Sequence, residues 1–80
     1  MYHIVFYEAG KFLTQVGGEL HSLGDAIKQM ESLAKGVDAR PATPVLGVHW
    51  LRGGITDCAM FVVNQWGEFI RDANSNAEDQ

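Results

Sequence analysis

Eighty residues suit one small domain and leave no room for two, and the single cysteine, Cys58, excludes an internal disulfide. No stretch approaches the ~18 apolar residues of a membrane span. The net charge of −4 is uneven: Asp72, Glu78 and Asp79 lie near the end, while residues 1–71 carry seven acids against six scattered bases, which argues against a phosphate-binding stripe and hence against direct nucleic-acid binding.

Residues 2–7 alternate as a strand, with Tyr2, Ile4 and Phe6 on one face and His3, Val5 and Tyr7 on the other. Residues 8–11 read as a turn around Gly10, and residues 12–16 as the returning strand, ended by Gly17 and Gly18. Ser22 is the expected N-cap of a helix, with Asp25 three residues on completing a capping-box-like arrangement. Leu23, Ala26, Ile27, Met30, Leu33 and Ala34 form its apolar stripe. Gly36 stands where a left-handed residue closes a helix.

Residues 36–44 read as a loop punctuated by Pro41 and Pro44. Residues 45–52 are the third strand, Gly53-Gly54 a tight turn, and residues 55–64 the fourth strand. The run Ala59-Met60-Phe61-Val62-Val63 is apolar on both faces, which marks a central strand. Residues 64–67 look like another turn, and residues 68–71 leave room for a short fifth strand. Residues 72–80 are small and polar and are expected to form a disordered acidic tail. The fold class is therefore α+β over residues 1–71, an antiparallel sheet of four to five strands with one helix on one face, in the order β-β-α-β-β with room for a final short β.

That architecture has a consequence. Both faces of the strands carry large apolar groups, and one helix covers only one of them. The other face is expected to expose adjacent apolar or aromatic residues, to be covered by a second copy, by a partner protein, or by the segment holding Trp66, Phe69 and Ile70.

Chemistry is sparse. His3, His21, His49, Asp57 and Cys58 are the only plausible metal ligands, and no pair has ligand spacing, so no metal or cofactor is expected. Cys58 with His49 or His3 could form a nucleophile–base pair. Its place mid-strand among Ala59, Met60 and Phe61 reads instead as a small core hydrophobe. Gly17-Gly18 and Gly53-Gly54 lack the flanking lysine and hydroxyl of a phosphate loop. The N-terminus has no basic leader, so the expected location is the cytoplasm.

The order of Tyr2-His3-Ile4-Val5, a short hairpin, Ser22-Leu23-Gly24-Asp25-Ala26-Ile27 and then Trp66-Gly67-Glu68-Phe69-Ile70 resembles very small α+β proteins encoded by phages and mobile elements, several anti-CRISPR inhibitors among them. The resemblance implies a non-enzymatic inhibitor that binds a bacterial CRISPR–Cas-type effector. Gly24-Asp25-Ala26-Ile27 after a hairpin also looks like the N-terminal part of HicB-type antitoxins, which carry before the helix a longer Pro-Gly-Cys segment that Val16 to His21 lacks. The alternative is a homodimeric small-molecule-binding or regulatory domain, including an antitoxin-like role. For a protein interface the expected residues are Tyr7, His49, Trp50, Arg52 and Trp66, because aromatics and arginine dominate binding hot spots.

Overall fold

A computed structural model describes residues 1–72. Its elements are β1 (Tyr2–Glu8), β2 (Lys11–Leu20), α1 (Leu23–Leu33), β3 (Arg40–Pro41), β4 (Gly47–Arg52) and β5 (Thr56–Asn64). Every pairing is antiparallel, and the strands lie side by side as β2-β1-β5-β4-β3. The α+β class holds, and β5 is central as its doubly apolar run requires. The predicted order is corrected: three strands, not two, follow the helix. The added one is β3, inside the expected loop, where Arg40 pairs with His49 and Pro41 with Val48. Proline fits there because β3 is an edge, so its missing N–H removes no ladder bond on the outer side.

Three boundaries also move. The second strand does not stop at Gly17-Gly18. Gly17 takes φ 72°, the chain bulges between Val16 and Leu20, and Leu20 rejoins the ladder opposite Tyr2. Ile55 belongs to the turn, where Gly53 and Gly54 both have positive φ (61° and 75°). Residues 68–71 form no strand; they make two isolated bridges, Val63 with Phe69 and Val45 with Arg71. The tail expected at 72–80 lies, beyond Asp72, outside the described residues.

The helix begins as its sequence signal requires, with Ser22 Oγ accepting a hydrogen bond from the Asp25 N–H at 3.1 Å. Its Ala26 and Met30 are buried against Ile4, Met60 and Val62. Tyr2, Phe6, Val48 and Trp50 pack around that core, so the helix covers the even-numbered face of β1, β4 and β5. Eleven helical residues span about 16 Å. That length cannot wrap to the other side of a five-stranded sheet. Among the described residues no helix is long and apolar enough to cross a membrane.

Candidate interaction face

The face turned away from the helix is set by register. The two-residue loop at Ala9 and Gly10 places Glu8 opposite Lys11, and Tyr7 therefore opposite Phe12. On the other flank of β1, Val5 lies opposite Phe61 and Tyr7 opposite Ala59. Beyond β5, Ala59 meets His49 and Asp57 meets Leu51. One continuous surface thus collects Phe12, Tyr7, Phe61, His49 and Leu51.

Four aromatic rings run across it in contact. Phe12 meets Tyr7 edge-on at 5.9 Å between centroids, and Tyr7 meets Phe61 edge-on at 5.4 Å. Phe69, brought back by the turn after β5, lies 5.0 Å from Phe61 and 6.0 Å from Tyr7. Such pairs contribute roughly 0.5–1.5 kcal/mol each beyond their buried area. The C-terminal segment therefore covers part of this face, as one of the three expected covers, but not all of it. Phe12 remains 56% exposed, Leu51 60% and Phe69 43%.

The five residues expected at an interface do not form one patch. Tyr7 and His49 lie on this open face, Tyr7 half-buried in the ring row and His49 exposed. Trp50 lies on the helix side, half-buried and stacked on Phe6 with centroids 6.0 Å apart. Arg52 is also on that side, in an ion pair with Glu8. Trp66 projects from the turn after β5 and is 75% exposed. Asn64 fixes that turn: its Oδ1 accepts from the Trp66 and Glu68 N–H groups at 3.0 and 2.9 Å. Its Nδ2 donates to Glu68 Oε1 at 2.8 Å.

Phe12, Phe61, Phe69 and Leu51 were not among the expected interface residues. Strand parity already put Phe61 and Leu51 off the helix face, once Ile4 and Met60 are known to be on it. Phe12 follows from the two-residue hairpin loop. The return of Phe69 rests on the Asn64 clamp, a side-chain feature with no simple sequence pattern.

The histidines and Cys58 are kept apart. His3 is opposite Val63 and His49 opposite Ala59, four positions apart along β5. Cys58 is buried on the helix face between Glu8 and Trp50, so His49 stands on the opposite side of the sheet. Among the described residues no group of three or more His, Cys, Asp and Glu converges. Comparison with protein-family models, with curated proteins and with solved structures finds no match for this chain.

Proposed function

We propose that this protein is a non-enzymatic binding module that docks another protein against the helix-free face of its sheet. The observation that supports the reading is the row Phe12–Tyr7–Phe61–Phe69, in which Phe12 and Phe69 stay exposed, as does Leu51 farther along the same face. Monomers rarely keep contiguous apolar patches beyond a few hundred Å² without a use for them. At about 25 cal/mol per Å², covering a patch of that size contributes several kcal/mol to association. In its narrower form, which follows the resemblance to phage-encoded inhibitors, the partner is a bacterial CRISPR–Cas-type effector that the module blocks.

The test is binding and interference together. The chain is expressed beside a panel of purified or plasmid-borne CRISPR–Cas effectors, with complex formation and phage or plasmid clearance both measured. Leu51→Asp and Phe69→Ser should each weaken the complex at least tenfold while leaving the circular dichroism spectrum unchanged. The narrow form fails if no effector in the panel binds or loses activity. The broad form fails if a partner is found whose affinity ignores both substitutions.

A further inference from the structure

The sheet ends on one side in β2, a ten-residue strand with no neighbour on its outer edge among the described residues. An open edge of that length is a template for another strand, and proteins usually blunt such edges with proline, inward charges or a cover. β2 contains no proline, and its two charges, Lys11 and Glu19, stand near its opposite ends. Bulk is divided the same way. Phe12 and Leu13, beside Lys11, are 56% and 50% exposed. Gly17 and Gly18, beside Glu19, leave open space: a Cβ added at either would meet nothing within 4 Å.

The two ends of this strand therefore complement each other, and they do so about one point. If β2 pairs antiparallel with itself across a two-fold axis at Gln15, Lys11 comes opposite Glu19 of the second copy. In the same register Phe12 comes opposite Gly18, and Leu13 opposite Gly17. In that register the irregular stretch at 12–14 falls opposite 16–18, inside the irregular stretch 16–20. The regular stretch Thr14-Gln15-Val16 is left at the centre.

We propose that β2 joins β2 of a second copy in this register, giving a homodimer with one continuous ten-stranded sheet. Exposed ion pairs contribute little net stability, so Lys11 and Glu19 select the register. Backbone hydrogen bonds and the filling of the glycine gaps hold the copies together. An axis perpendicular to the sheet keeps both helices on one side and both aromatic rows on the other. The dimer thus doubles the open face and covers only its Phe12 end.

The test uses the purified full chain and needs no protein partner, so its outcome is independent of the docking reading. Sedimentation equilibrium at about 0.1 mM, where a micromolar association is essentially complete, should give twice the 8.8 kDa chain mass. Gly18→Leu, whose Cβ would stand in open space, should keep the spectrum and melting temperature and weaken the dimer at least tenfold. Lys11→Glu should weaken it also, and Lys11→Glu combined with Glu19→Lys should restore it. Oxidised Gln15→Cys should yield a disulfide-linked dimer, since facing Cα atoms in an antiparallel pair lie about 4.5–5.5 Å apart, within a disulfide's reach. Leu51→Cys, on β4, should not. A chain that stays monomeric at this concentration overturns the proposal. So does a dimer that ignores Gly18→Leu and the charge exchange.

Discussion

At Gly47 the ring of Phe61 occupies the space where any other residue would carry its first side-chain atom. A Cβ built there would overlap the Met60 carbonyl oxygen and come within 2.6 Å of Phe61 Cδ1. The missing methyl thus leaves room beside β4 for the ring that meets Tyr7 and Phe69. The backbone oxygen cannot turn away as a flexible side chain could. Gly47→Ala should therefore cost about 2–3 kcal/mol, at the upper end of overpacking changes, read as a fall in the urea midpoint. Adding Phe61→Ala removes the ring but not the carbonyl, and should not restore the loss. Full recovery in the double variant would show that the ring alone sets the conflict.

At the scale of elements, the first hairpin carries a removable defect. Its two loop residues, Ala9 and Gly10, have φ of 51° and 79°, the pair of positive values that a tight antiparallel turn demands. Glycine takes this region freely, whereas alanine does so at a cost of roughly 1–2 kcal/mol. Ala9→Asn would create the Asn-Gly pair that such turns favour. It should raise stability by about 1 kcal/mol, seen as a higher thermal midpoint, and an unchanged or lower midpoint would contradict the turn geometry. The presence of this hairpin was legible in sequence, as were the helix from its Ser22 cap and the Gly53-Gly54 turn, because each rests on local rules. β3 was not, since two residues carry no periodicity and Arg40-Pro41 pairs only because β4 is already in place. The continuation of β2 through Gly17-Gly18 was hidden for a related reason. A glycine pair signals a break to local reasoning, and only the partner strand shows that the chain returns to the ladder at Leu20. The five expected interface residues are spread over both sides of the sheet on the same account. Tyr7, Trp50 and Arg52 were chosen by residue type, and type does not tell which side of a strand a residue takes.

For the whole molecule, the pairing of β1 with β5 brings opposite ends of the described chain together at the centre of the sheet. The largest fully buried side chains, Ile4, Val62 and Cys58, all belong to these two strands, and Ile4 lies directly opposite Val62. α1 adds only Ala26 and Met30 to the buried set, and its Leu33 end is exposed. Local opening should follow that division, because regions with few buried apolar contacts open at lower free energy than the core. Amide hydrogen exchange should thus be slowest in β1 and β5, faster in α1 and fastest in β3. β2 provides an internal check on the edge-pairing proposal. Its amides directed towards β1 should be protected at every concentration, while those directed outwards should gain protection only as concentration rises into the dimer range. A helix that outlasts the central strands would mean that the core is held chiefly from the α1 side, and that the sheet does not open as its burial pattern requires.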